Sequence, residues 1–207
     1  MKYETKKKPG SKEKLLGYKE LVITNPQENK GKWKEYLGTE KIHIELGTGR
    51  GKFINSLAEQ NGEIFHIGIE IKEEVLLNAV EKAHNNSLKN LKFMWTDINN
   101  IDEIFDTNEI DRIYINFCDP WPKTRHSRRR LTHRSFLEKY KEILKSDGEI
   151  HFKTDNEELF EFSLNEISDS NLKLKDIYLD LYRDKEIETT KTEYEEKFID
   201  LGKKYLV

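Results

Sequence analysis

Cysteine is almost missing from this chain: one residue, Cys118, in 207. A single thiol excludes an internal disulfide and any cysteine-cluster metal site. The six histidines are scattered, and none pairs with another at metal-ligand spacing, so no metal is expected. No apolar run approaches the length of a membrane span, and the N-terminal stretch MKYETKKKPGSKEK lacks the apolar centre of a signal peptide. The expectation is a cytoplasmic protein with no membrane partner. Internal repeats and long low-complexity segments are also absent. Only four prolines are present, yet two of them, Pro120 and Pro122, stand two residues apart. Acidic residues are plentiful, 39 against 36 basic ones, but none occurs between Pro120 and Leu137.

That last gap coincides with the most informative segment. The apolar run Ile113-Tyr114-Ile115-Asn116-Phe117 delivers the chain to Asp119. The two prolines then stiffen the turn, because each fixes its own φ and restricts the residue before it. Trp121 lies between them, placed either to stack on a base or to plug the end of a sheet. Lys123, Arg125, Arg128, Arg129, Arg130 and Arg134 follow with no acid among them, in a chain whose net charge is −3. A mildly acidic protein that gathers its cations on one loop steers a single anionic partner to that place. A carboxylate on a rigid turn beside a cationic strip suits an enzyme acting on a base within a nucleic acid.

Alternating strand and helix signals organise the rest. Strands are expected at 42–46, 64–70, 91–95, 112–117 and 149–153. Helices are expected at 52–60, 73–85, 132–145 and 156–167, with shorter ones at 31–37 and 101–105. Residues 1–14 read as a basic arm and 1–38 as arm plus lead-in, with the main domain over 39–207. Segments 172–181 and 197–201 read as two late strands joined by a polar stretch. The expected fold is therefore α/β and Rossmann-like, a seven-stranded mostly parallel sheet with a C-terminal antiparallel hairpin and helices on both faces. In such sheets ligands bind beyond the carboxyl ends of the strands, where Gly47, Glu70, Asp97, Asp119 and Asp155 all fall.

The first strand runs into Glu45-Leu46-Gly47-Thr48-Gly49-Arg50-Gly51. A nicotinamide dinucleotide turn wants G-x-G-x-x-G, and the place of its third glycine is taken by Lys52. The G-x-G-x-G spacing is that of S-adenosylmethionine (SAM) sites, where a nucleoside and an amino acid are held and no pyrophosphate. Glu70 ends the second strand, where an acid accepts from ribose hydroxyls. Asp97 ends the third, placed to meet the adenine end or to cap a helix. Cys118 invites a covalent mechanism, but a lone cysteine at a strand end is usually packing. His126 and His133 flank the basic loop.

The segment Asn116-Phe117-Cys118-Asp119-Pro120-Trp121-Pro122-Lys123, with Arg125-His126 and Arg129-Arg130-Leu131, resembles the signature of bacterial tRNA (guanine-N7-)-methyltransferases. Glu45-Leu46-Gly47-Thr48-Gly49, Gly68-Ile69-Glu70, His151-Phe152-Lys153-Thr154-Asp155-Asn156 and Thr192-Glu193-Tyr194-Glu195 are similar to that family in the same order. The chain departs from it near the start, where Lys8-Pro9-Gly10-Ser11 stands for Lys-Pro-Trp-Ala, and at the end, where Val207 closes a short last edge of the sheet. The resemblance implies a class I SAM-dependent methyltransferase that modifies N7 of the variable-loop guanine, position forty-six, of tRNA. It implies SAM contacts at Glu45, Gly47, Gly49, Glu70, Asp97 and Asp119, with Asp119 as the active-site residue. It also implies substrate contacts at Lys123, Asp155, Thr192, Glu193, Tyr194 and Glu195. RNA contacts would fall at Arg125, His126, Ser127, Arg128, Arg129 and Arg130, in a monomer or a homodimer. N7 of guanine carries a lone pair and no proton, so its attack on a methyl group needs no general base. Asp119 is therefore expected to position the base and to favour its developing positive charge. The residues by themselves also fit an amino-group methyltransferase acting on adenine, or an RNA-binding protein without activity.

Overall fold

A computed structural model describes residues 10–183, 189–198 and 204–207. Its centre is a six-stranded sheet in the order β1-β4-β3-β2-β5-β6. The strands are β1 (Val22–Ile23), β2 (Ile42–Leu46), β3 (Phe65–Glu70), β4 (Leu91–Trp95), β5 (Ile110–Asn116) and β6 (Leu144–Lys153). Every neighbouring pair is parallel. Strand order reverses between β2 and β5, which opens a crevice above their carboxyl ends.

The helices follow the apolar spacing. In α3 (Lys52–Gln60) the buried Phe53, Ile54, Leu57 and Ala58 recur on one face. In α6 (Arg134–Ile143) the same is true of Phe136, Leu137, Tyr140 and Ile143. Helices α1 (Ser11–Gly17), α2 (Trp33–Leu37), α4 (Glu73–Asn85), α5 (Ile101–Ile104), α7 (Glu157–Asp169) and α8 (Glu193–Phe198) complete the set among the described residues. Two large apolar clusters result, beside a small third one of Phe53, Leu57 and Tyr114. One joins Ile42, Ile44 and Leu46 of β2 to Ile101 of α5, Leu137 of α6 and Phe160 of α7. The other joins Leu15 of α1 and Ile54 of α3 to Leu76 and Val80 of α4 and Phe93 of β4. Burying each such side chain contributes roughly 1.5–3 kcal/mol.

The sheet has one unusual feature. Alternate residues of β2 and β3 that face away from the first cluster include His43 and His66, in register and both buried. With Tyr114 of β5 and His151 of β6 they form a row of rings 5.4–5.8 Å apart. Burial holds the imidazoles of His43 and His66 neutral, at about 3 and about 4.

Two expectations need correction. The lead-in contains an unforeseen strand, Val22–Ile23, which pairs with Phe93 and Met94 at the sheet edge. At the other end there is no seventh strand and no strand hairpin among the described residues. Segment 172–181 alternates Leu172, Leu174, Ile177, Leu179 and Leu181, but Leu174, Ile177 and Leu179 remain exposed and only Leu181 is deeply buried. The pattern is strand-like, yet its phase shifts between Leu174 and Ile177, so these side chains do not share one face, and among the described residues the ladder stays at a few bonds. Tyr178 exchanges backbone bonds with Val207, Leu181 donates to Tyr205, and Thr154 forms an isolated antiparallel bridge with Leu206. Residues 197 and 198 of the other expected strand belong to α8, and 199–201 lie outside the described residues. Most of the expected arm, residues 1–9, also lies outside them. Ser11–Gly17 is helical, with Leu15 fully buried.

Candidate active site

The site is assembled at the carboxyl ends of β2, β3, β5 and β6. Leu46 pairs with Ile115, and Asn116 pairs with Lys153. The loops after β2, β5 and β6 therefore leave the sheet side by side, about 4.8 Å per strand apart. Sheet register alone thus brings Gly47, Asp119 and Asp155 to one edge of the crevice.

The loop after β2 is shaped to receive a ligand. Gly47 and Gly49 have φ of +76° and +58°, and a Cβ on either would meet no atom closer than 4.0 Å. The turn is left-handed and its outer side is open, the cradle that a small ligand pressed against backbone requires. Gly51, also left-handed, is different: a Cβ there would lie 2.3 Å from that of Ala79, so it serves helix packing. Glu70 at the tip of β3 braces the turn. Its Oε2 accepts the Gly49 N–H at 3.2 Å, and its Oε1 accepts those of Ile71 and Lys72 at 3.0 Å.

Glu45 lies beneath the turn, 2% exposed. Its carboxyl accepts from Thr48 Oγ1 at 2.6 Å and from Asn116 Nδ2 at 2.9 Å. Burial pushes it up to about 7; the two hydrogen bonds and the charge of Lys153 act the other way, and Glu70 adds to the rise. Asp97 follows β4 and caps the short 3₁₀ helix Ile98–Asn100 by accepting from the Asn99 backbone at 2.9 Å. The cap and the position at the strand tip are therefore both realised.

The loop after β5 is strained where the prolines stiffen it. Phe117 has φ +49° and Trp121 φ +43°, in the left-handed region that side chains disfavour. Between them Asp119 is exposed. Arg130 stabilises this conformation. It is 9% exposed, donates Nε to Pro120 O at 2.9 Å and Nη2 to Trp121 O at 3.2 Å, and lies over the Phe162 ring. Arg134 is exposed but has its charge matched by the fold itself, paired with Glu166 and Asp169. The other cations of the strip that face solvent are Lys123, Arg125, Arg128 and Arg129, on and beside the 3₁₀ helix Thr124–Arg129. Trp121 is half-buried on this loop. The Arg129 guanidinium covers its ring at 4.9 Å, and His126 meets it edge-on. Ser127 is half-buried and accepts the Arg130 N–H through its carbonyl. Cys118 packs against the core, and burial, together with the charge of Asp119, pushes its thiol up to about 12, which excludes a thiolate nucleophile near neutral pH.

The 192–195 segment packs against the residues at the ends of β5 and β6. Thr192 Oγ1 accepts the Glu195 N–H at 3.1 Å, and Glu195 Oε2 accepts the Thr192 N–H at 2.7 Å. This reciprocal capping box starts α8. Its T-x-x-E spacing was readable in the sequence. Tyr194 donates to Asp155 Oδ2 at 2.6 Å, and its ring lies 4.9 Å from that of Phe117. Glu193 and Glu196 face outward and pair with Lys82 and Lys52. Glu195 does not face the crevice. It is 0% exposed, and Oε1 is shared by Lys153 and Tyr182. Asn116, Thr48, Lys153 and Arg130, which hold these groups, lie inside the motifs that carry the family resemblance, but no local spacing marks their supporting roles.

Residues 39–207 match the family described as "Putative methyltransferase". A tRNA (guanine-N(7)-)-methyltransferase of Clostridioides difficile is 54% identical, over 95% of this chain and 93% of its own. One from a Geobacillus species is 48% identical, over 94% and 89%. The chain belongs to the tRNA (guanine-N7-)-methyltransferase family. Solved structures confirm the fold. An antibiotic-related methyltransferase matches with TM-score 0.62 at 24% identity, covering 85% of this chain and 89% of its own. The 16S rRNA methyltransferase KamB also matches with TM-score 0.62, at 13% identity, covering 85% and 90%. The described residues contain no group of three His, Cys, Asp or Glu able to hold a metal ion, and no helix long and apolar enough to cross a membrane.

Proposed function

We propose that this family member transfers a methyl group from SAM to N7 of the variable-loop guanine, position forty-six, of tRNA. The observation that carries this reading is an adjacency: an open left-handed glycine turn beside an exposed aspartate on a strained loop rimmed by solvent-facing cations. When bound, SAM supplies an electrophilic methyl on a sulfonium. Gly47 and Gly49 fit its close approach, Glu70 offers acceptors to ribose hydroxyls, Asp97 lies toward the adenine side, and Glu45 supports the turn from below. Asp119 borders both halves of the site. As an acceptor it holds donors on the guanine edge, and its charge favours the cation that develops on the ring. Placement of the base in line with the methyl supplies several kcal/mol of the barrier lowering.

Lys123, Asp155, Thr192 and Tyr194 surround the guanine in this reading, while Glu193, on the outer face of α8, and the buried Glu195 act from behind them. Arg125, His126, Ser127, Arg128 and Arg129 meet the RNA backbone, while Arg130 holds the loop. A tRNA substrate implies a cytoplasmic enzyme, monomeric or homodimeric, with residues 39–207 as its catalytic domain. The test is incubation with labelled SAM and unmodified tRNA, followed by mapping of the product. N7-methylguanine at the variable loop is expected; methyladenine overturns the reading.

A further inference from the structure

Lys153 ends β6 on the same face as Glu45 and Asn116 and is 7% exposed. Its ammonium has three donors, and each meets an acceptor on one short segment: Thr189 Oγ1 at 2.9 Å, Thr190 O at 3.2 Å and Glu195 Oε1 at 3.2 Å. It also lies 5.6 Å from the centroid of Phe53, the second residue of α3 after the glycine turn. In the sheet register Lys153 stands opposite Asn116, whose side chain donates to Glu45. The sequence Glu45, Asn116, Lys153, Glu195 therefore runs, buried or half-buried, from beneath the glycine turn to the 192–195 segment.

A buried ion pair is a poor source of net stability, because desolvation of both charges offsets their attraction. Three directed bonds into one segment are, by contrast, an effective way to fix its position. On the outer face of α8 the pairs of Glu193 with Lys82 and Glu196 with Lys52 are half-exposed and contribute little. The buried side is where the segment is located.

We propose that Lys153 is a positioning residue that fastens residues 189–195 to the strand tips and so sets where Thr192 and Tyr194 stand against the bound guanine. It acts through Glu195 and the capping box and does not touch substrate. This rests on the functional reading above.

The experiment compares Lys153→Met, Glu195→Gln and the double variant with the parent chain. Each is measured for SAM affinity by calorimetry, for melting temperature, and for kcat and KM with unmodified tRNA. A parent that leaves tRNA unmethylated refutes the functional reading before Lys153 is at issue. With an active parent, Lys153→Met is expected to lower kcat/KM for tRNA about a hundredfold while SAM affinity stays within about twofold. The double variant removes both buried charges together and is expected to recover melting temperature without recovering kcat/KM. Recovery of both, or a loss of SAM affinity equal to the loss for tRNA, overturns the proposal. So does failure of both Lys153 variants to fold, which makes the residue structural.

Discussion

At the scale of single residues, neighbours of identical type have opposite roles. Arg129 faces solvent over Trp121, whereas Arg130, next in the chain, is buried and holds the carbonyls of Pro120 and Trp121. Replacing Arg128 and Arg129 by Ala is expected to weaken tRNA binding and reduce its salt slope by about 2, with SAM affinity unchanged. An unaltered slope in binding titrations would place the RNA elsewhere. Arg130→Ala is expected instead to lower the melting temperature, with little change in that slope. Asp119→Ala should lower kcat by about a thousandfold while tRNA affinity is retained, since the side chain is exposed. A variant of normal rate removes its assigned role. The sequence displayed this cluster of cations and its acid, but it did not sort the cations. Solvation depends on what covers each side chain, and Phe162, which covers Arg130, comes from a helix thirty residues on.

At the scale of elements, glycine and capping positions carry the testable energetics. Gly51→Ala forces a side chain into the left-handed region and against Ala79, and should cost at least about 2 kcal/mol by denaturant unfolding. Thr192→Ala removes one half of the capping box that starts α8 and should cost about 1 kcal/mol. Its larger effect is expected on the KM for tRNA, because α8 carries Tyr194 to Asp155. The alternating elements from β2 to β6 were legible because their apolar residues repeat with the period of the structure they form. Segment 172–181 misled for the same reason. Its residues alternate as in a strand, but a strand is stabilised by what packs on its faces, and Leu174, Ile177 and Leu179 stay exposed.

At the scale of the whole molecule, the row of neutral imidazoles across the sheet ties stability to pH. His43 and His66 are held far below 6.5 in the folded protein, so below pH 6.5 the unfolded chain binds more protons and stability falls with pH. Glu45 opposes this between about 4.5 and 7, because its raised carboxyl favours the folded state as pH falls there. Below 4.5 that offset ends, and Glu166, held low by its hydrogen bond from Arg134, adds to the loss. The melting temperature should therefore decline gently from pH 6.5 and steeply below about 4.5. His66→Leu should flatten the acid limb, since leucine removes the group that burial holds neutral. An unchanged limb would show that the row titrates with solvent.

What the chain determined on its own was the order of its parts. The strand-to-helix alternation, the glycine spacing after Glu45, and the acid and cations after β5 are all local patterns, set by backbone freedom and by charge within a few residues. Folding decided which of these parts meet. Only the parallel register places Asn116 between Glu45 and Lys153, and only the return of α8 buries Glu195 against the tip of β6. Such contacts join residues dozens of positions apart. They depend on burial and directed bonds that exist only after the sheet has closed, and no local spacing encodes them.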